Sequence, residues 1–346
     1  MKALGRSMVL VLALALLVAV SAGVSAEGAR KVIIDTDAGA DDACALILAA
    51  SSPEIDILGV TVLAGNVNLE QGTRNALAAL EQVGCDAPVF KGASETYSGA
   101  TIEAFSVYGE DGMGERDLSH PQGVAQERDG IDFMLETVRE NPDEVEIIAL
   151  GPATNIALAM DRDPETMKRV KRIWSMGTAG LGSGNATPVA EFNVYHDAPA
   201  YRRMLDFGVP VTIVGLDMCD EEAQWTNGQF DVLKAFGETG SFIADSFSKL
   251  REFYAANGSA DSVMNCDSAA MMCAVDPDYV KETLACHGSC QTDPGECYGQ
   301  VIFYKQGFTY DVARNDFDYN VTLVTEVDGE HYFDRFMRRV FPDQNQ

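Results

Sequence analysis

The sequence predicts an α/β protein: an open, mostly parallel, Rossmann-like sheet with helices on both faces, in a single domain. Three observations predict it. Short β-branched runs alternate with helix-length stretches rich in Ala and Leu, the signature of strands joined by helical crossovers. No internal repeat, low-complexity block or long polar linker divides the chain. Its 346 residues suffice for one large core.

The elements follow in order. Residues 31–35 (KVIID) form a first strand, and 43–50 a first helix. Residues 55–63 (IDILGVTVL) read as a strand, 69–82 as a helix with Ala and Leu on one side, and 87–90 as a brief strand. A helix over 131–139 precedes a strand over 145–150 (VEIIAL), and a further helix begins at 155–160. Strands at 170–176 and 209–216 flank a helix at 199–205. Phe247, Leu250 and Phe253-Tyr254 have helical spacing, which puts part of that stretch in the core. Trp225 reads as core filler or a surface anchor rather than a stacking platform.

Composition excludes some functions. Lys and Arg total 25 against 53 Asp and Glu, a formal charge of −28. That balance argues against nucleic acid as a partner, because phosphate-backbone binding rests on basic patches. The first residues read as an address. Lys2 and Arg6 precede an apolar run over 8–20, and small residues lead to Val24-Ser25-Ala26, the layout of a secretory signal peptide. The run is short for a membrane span, and no later segment approaches one. Residues 1–26 are therefore expected to be removed near Ala26, leaving 27–346 as a secreted domain.

Export permits disulfides. Of eight cysteines, Cys286, Cys290 and Cys297 crowd into a surface-like stretch containing Gly and Pro. A local bridge is expected there, with a zinc site as the alternative. Cys266 is open to two readings, a small buried hydrophobe or a partner for Cys273 or Cys219. His196 reads as a satisfied structural histidine, and His120, His287 and His331 lack paired metal-ligand spacing.

Polar residues fall where strands end. Asp35, Asp37, Asp41 and Asp42 lie within eight residues, straight after the first strand and opening a helix. One or two carboxylates cap a helix N-terminus well; four repel one another unless a cation sits among them. On pattern alone, capping and a site for Ca²⁺ or Mg²⁺ both stand. Gly65-Asn66, Gly151 to Asn155, Met176-Gly177 and the loop over 185–193 follow other strands. Ligands bind outside the carboxyl ends of parallel strands, so these loops are expected to converge on one crevice. Glu191 and Asn193, two apart on an expected extended segment, would face the same way.

DTDAGADDACAL (35–46), AGN (64–66), ALGPATNIALAM (149–160), GNATPVAEFN (184–193) and CDSAAMMCAVDP (266–277) together resemble the nucleoside hydrolases, the inosine–uridine preferring nucleoside N-ribohydrolases. The match runs in order from about Lys31 to the C-terminus, including a closing strand and helix over 320–341. The resemblance implies hydrolysis of ribonucleosides to ribose and free base at a bound Ca²⁺. It implies that Asp37, Asp42, the backbone carbonyl of Thr154, and Asp267 hold the metal. It also implies Asp41, Asn66, Asn185, Glu191 and Asn193 around the ribose hydroxyls, with Met176 packing nearby. Asp37 would be the general base toward a metal-held water. A homodimer or homotetramer is likewise implied.

Two positions depart from the family pattern. Cys266 stands where the best-known members carry His, a candidate acid for the departing base; a thiol takes that role only with a suitable pKa. Tyr108 lies where the family often has His-Gly, and could reach the sugar or stack on a base. Two other functions compete: a haloacid-dehalogenase-like phosphatase using Asp35 and Asp37, and a non-catalytic nucleoside or calcium binder.

Overall fold

The computed structural model describes residues 28–99, 106–219, 223–258, 261–305 and 318–342. The expected export segment lies outside them. No helix among the described residues is long and apolar enough to cross a membrane.

The chain opens with β1 (Arg30–Thr36), α1 (Ala40–Ala50), β2 (Ile55–Val62), α2 (Leu69–Glu81) and β3 (Val89–Lys91). It continues with α3 (Gly130–Glu140), β4 (Glu146–Ala149), α4 (Thr154–Arg162), the short α5 (Pro164–Met167) and β5 (Arg172–Met176). Then come α6 (Phe192–His196), α7 (Ala198–Leu205) and β6 (Val211–Val214). Each predicted strand and helix over this region is present, with ends moved by at most three residues.

Nine strands form one sheet in the order β10-β9-β11-β6-β5-β4-β1-β2-β3, completed by β9 (Val280–Cys290), β10 (Val301–Tyr304) and β11 (Val321–Val327). β1 pairs in parallel with both β2 and β4. The chain thus winds outward from β1 to β3, then lands on the other side of β1 with β4. The topological switch point lies between β1 and β4, and in such sheets the ligand crevice opens there. Two apolar cores, one on each face, cover the sheet.

The antiparallel element was not visible in the sequence. β9 runs against both β11 and β10, so Cys286 and Cys290 lie in a strand rather than a surface loop, and both are buried. This corrects the expected local bridge: all eight cysteines are free. Residues four apart on one strand are about 13 Å apart, beyond disulfide reach. The alternative zinc site is also absent among the described residues, where the one metal-competent group is acidic.

The C-terminal half adds α8 (Asn227–Leu233), α9 (Gly237–Ser246), α10 (Ser248–Ala256), α11 (Cys266–Val275) and α12 (Tyr332–Val340), with a two-stranded ribbon, β7 (Trp225–Thr226) and β8 (Ser262–Val263). Trp225 is fully buried among Phe230, Phe247, Tyr332, Phe333 and Phe336, at ring separations of 4.8–6.4 Å. It is core.

One helix pair matters most for the site. Every residue of α11 (CDSAAMMCAV) is buried, as are the first ten of α1 (ADDACALILA). Small Ala, Cys and Ser side chains let the two helices pack directly on each other. Each carries acids in its first turn, Asp41 and Asp42 on α1 and Asp267 on α11. Packing the helices brings those acids together.

Candidate active site

The site begins where β1 ends. Ala38 takes the left-handed conformation (φ 46°), uncommon for a residue with a side chain, and turns the chain sharply into α1. Thr36 Oγ1 donates to Asp42 Oδ1 at 2.5 Å, and Gly39 N donates to Asp42 Oδ2 at 2.8 Å. Asn66, from the loop after β2, bridges the cluster. Its backbone N–H donates to Asp37 Oδ2 at 2.7 Å and its Nδ2 to Asp42 Oδ2 at 3.2 Å. Glycines make room for Asp37: a Cβ on Gly65 would fall 2.0 Å from its Oδ2, and one on Gly151 2.8 Å from its Oδ1.

Asp41, Asp42 and Asp267 each place a carboxylate oxygen within 4.8 Å of the others. Asp37 borders them, and all four are buried. Burial pushes all four carboxyls upward, and repulsion from neighbouring acids adds to it at Asp37, Asp41 and Asp267, with Asp41 reaching about 7. No basic side chain answers them in the cavity lining described below. Asp37 Oδ1 and Asp41 Oδ1 are buried without a hydrogen-bond partner, a costly state. Clustered hard oxygens with two unpartnered atoms fit a divalent cation.

Above the cluster opens a cavity of about 360 Å³. Its polar lining is Asp41, Asn66, Asn185, Glu191, Asn193 and Asp267; Met176 sits among them. Its apolar lining comes from Val107 and Tyr108 in a 3-10 turn, Leu250, Phe253 and Tyr254 on α10, and Met264. Glu191 is the N-cap of α6, accepting from Asn193 N at 2.8 Å and Val194 N at 3.2 Å, and also from Thr178 N at 3.1 Å. Burial pushes its carboxyl to about 7. Asn193 Nδ2 donates to the Leu150 carbonyl at 2.7 Å, and Asn185 Oδ1 accepts from Phe192 N at 2.9 Å. Glu191 and Asn193 share the pocket through a helix N-terminus, not the expected extended segment, because the Glu191 carboxylate satisfies the free N–H groups that start α6.

The model of the family described as inosine-uridine preferring nucleoside hydrolase matches residues 32–334. The chain belongs to that family. Uridine nucleosidase 1 of Arabidopsis thaliana is 35% identical over 251 residues, 72% of this chain and 75% of that protein. A plant nucleoside hydrolase structure superposes with TM-score 0.83 at 30% identity, covering 90% of this chain and 98% of that one. A purine-preferring ribonucleoside hydrolase from Gardnerella vaginalis gives 0.82 at 29%, covering 90% and 98%. This nucleoside hydrolase therefore cleaves the N-glycosidic bond of ribonucleosides. Membership displaces the phosphatase and non-catalytic readings, and its acidic cluster suits a metal-dependent family.

The fold distributes the predicted residues of the nucleoside hydrolase over two levels. Asp41, Asn66, Met176, Asn185, Glu191, Asn193, Cys266 and Asp267 line the cavity. Asp37, Asp42 and Thr154 are fully buried outside the lining. Thr154 opens α4 at the end of β4, three residues after the Gly151 that touches Asp37. Its Oγ1 donates to Asp197 Oδ2 at 2.7 Å.

Tyr108, open between roles in the sequence, donates its hydroxyl to Asp41. Cys266 is 9% exposed and hydrogen-bonded to the Cys219 thiol, which with burial pushes it well above an ordinary thiol. His196 departs from expectation: it ends α6, packs against Phe192, and leaves Nε2 without a partner, and burial pulls it down to about 4. Sequence reasoning missed Thr36 and Asp197. The first is marked only as a hydroxyl between two acids, the second as an acid before Ala-Pro at a helix start.

Proposed function

We propose that this nucleoside hydrolase is an exported, calcium-dependent enzyme in which Asp37 is the general base. The observation that carries the reading is the Asp37 carboxylate, one oxygen fixed by Asn66 and the other unpartnered beside Asp41, Asp42 and Asp267. Asp37, Asp42, Asp267 and the Thr154 backbone carbonyl would hold the cation. A bound divalent ion would supply positive charge toward the ribose hydroxyls and would lower the pKa of a bound water.

The protein's residues do the rest. Asp41, Asn66, Asn185, Glu191 and Asn193 take the ribose hydroxyls, and Met176 packs against the sugar. The buried carboxylates oppose the positive charge that develops on the ribosyl group as the bond to the base breaks. Asp37 accepts the proton of the attacking water. Cys266 stands at the cavity wall as the donor to the departing base, and the apolar wall of Tyr108, Phe253 and Tyr254 takes the base itself.

The reading extends to location and assembly. The basic, apolar and small-residue run over 1–26 supports export, and the family resemblance supports a homodimer or homotetramer.

The test is ribose release from inosine, uridine and p-nitrophenyl riboside, with and without chelator, by the parent and by Asp37→Ala. Release that stops with chelator and returns with calcium supports the reading. Asp37→Ala is expected to fold and lose turnover. Activity within about tenfold of the parent would remove Asp37 as the base.

A further inference from the structure

We propose that Asn75, on α2, is a positioning residue for the reaction: it locks the turn that carries Asp37 and ties that turn to the loop that carries Tyr108. The inference rests on the proposed roles of Asp37 and of the apolar wall.

Asn75 is fully buried, and no residue of α2 lines the cavity. A side-chain amide offers two N–H donors and an oxygen that accepts twice, and leaving them unpaired in the interior is costly. Here all four positions are filled. Nδ2 donates to the Ala38 carbonyl at 2.8 Å and to the Asp111 carbonyl at 2.9 Å. Oδ1 accepts from Gln71 Nε2 at 2.9 Å and from the Ser119 hydroxyl. Both Nδ2 partners are carbonyl oxygens, which only accept, so the amide has a single workable orientation.

Those two carbonyls belong to the two ends of the site. Ala38 stands between Asp37 and the first turn of α1, at φ 46°. A residue with a side chain stays in that region only when its surroundings hold it there. Ala38 N donates to Thr36 Oγ1 at 3.1 Å, and Asn75 takes the carbonyl on the other side. Asp111 lies three residues after Tyr108, in a loop that closes on itself. Gly114 N donates to the Tyr108 carbonyl at 2.8 Å, and Asp111 Oδ1 accepts from Met113 N at 2.8 Å and Glu115 N at 3.0 Å. Gly112, at φ 70°, lets this loop settle over Asn75: a Cβ there would fall 2.8 Å from Val67 and 3.3 Å from Asn75 Nδ2. One amide thus joins segments 37 and 36 residues away on either side.

A side chain without donors at 75 leaves both carbonyls unanswered. The Ala38 turn is then free to relax, carrying Asp37 with it, and the Tyr108 loop loses its tie to that turn. Small displacements of reacting groups cost turnover more than binding.

The experiment compares the full chain with Asn75→Ala on inosine and p-nitrophenyl riboside in calcium. Asn320→Ala is the control for lost structure. Its Nδ2 also bridges two carbonyls, of Leu205 at 2.9 Å and Gly288 at 3.2 Å, but outside the cavity lining. Asn75→Ala should lose about thirtyfold in kcat on inosine, with KM within about threefold. Loss on p-nitrophenyl riboside, whose leaving group needs no proton and so calls less on the wall, should be about tenfold. The ratio between substrates then moves about threefold, which an inactive fraction of protein does not produce. Asn320→Ala should lower Tm and leave that ratio unchanged. If Asn75→Ala does not fold, Ser119→Ala, which removes one bond that aims the amide, decides by the same ratio, expected to move about twofold. An unmoved ratio in the variant that folds, or an equal movement in Asn320→Ala, overturns the proposal. Loss in Asn75→Ala with full activity in Asp37→Ala refutes the base assignment instead, and a parent chain that releases no ribose from either substrate refutes the proposed activity.

Discussion

Removing the cation should destabilise the protein, and more so at higher pH. Asp41 is pushed from an ordinary 3.8 to about 7 by burial and by Asp42. Between those two values the cation-free native state keeps a proton that the unfolded chain has released. The stability this group contributes is therefore complete below about pH 4 and lost as pH rises through about 7. At 1.36 kcal/mol per pH unit, the full effect for Asp41 alone is about 4 kcal/mol, of which about 3 falls between pH 5 and 8. With about 2 cal/mol/K of unfolding entropy per residue, that is a fall of about 4 °C in Tm. Asp37, Asp42 and Asp267 shift in the same direction, so the loss of stability with pH has the same sign for the whole cluster. A divalent ion among the ionised carboxylates removes most of the penalty; Asp35 and Glu191, both pushed to about 7, retain theirs. Scanning calorimetry of chelator-treated protein from about pH 5 to 8, with and without millimolar calcium, tests this. Calcium should raise Tm at both ends and by more at the alkaline end. A cation-free Tm that is flat or rises with pH, or a calcium shift equal at both ends, refutes the reasoning.

Other perturbations address single features. Gly65→Ala puts a methyl 2.0 Å from Asp37 Oδ2, so kcat should drop by about a hundredfold or more, with circular dichroism unchanged; near-parent kcat would show that the Asp37 position is not critical. Trp225→Ala removes a fully buried ring that is not part of the cavity lining and should cost about 3–5 kcal/mol in denaturant unfolding. Its kcat on the folded fraction should stay near the parent value. Cys266→Ala should slow inosine far more than p-nitrophenyl riboside; equal loss on both would reduce Cys266 to packing.

The parts of the site that could be read in the sequence are those where one strand end supplies several donors. Asp35 to Asp42 stand out because four acids crowd one turn, and Asn66 and Thr154 because β2 and β4 end in polar turns. The convergence of these loops follows from parallel pairing alone. What stayed hidden depends on contacts between distant segments. The Tyr108 bond to Asp41 spans 67 residues of chain, and the contact of Cys219 Sγ with the Cys266 carbonyl joins the end of the 3-10 turn Leu216–Cys219 to the start of α11 with no local cue. The aromatic wall on α10 looked like core because Phe247 and Leu250 are core; the same helix turns Phe253, 45% exposed, toward the cavity. β9 carries a weak strand signal because its first half (VKETLA) is charged while its second half (CHGSC) is Cys, His, Gly and Ser, with no β-branched residue.

The thin seam between α1 and α11 sets a tolerance for the whole enzyme. Methyl- and thiol-sized groups, one turn below the acids, act as the spacer that fixes how wide the acidic jaws stand. A bulkier residue at Ala270 or Ala45 need not unfold anything to do harm, because a few tenths of an ångström of added width would be carried to the helix tips. Small side chains between the two helices thus govern the spacing of acids they do not touch.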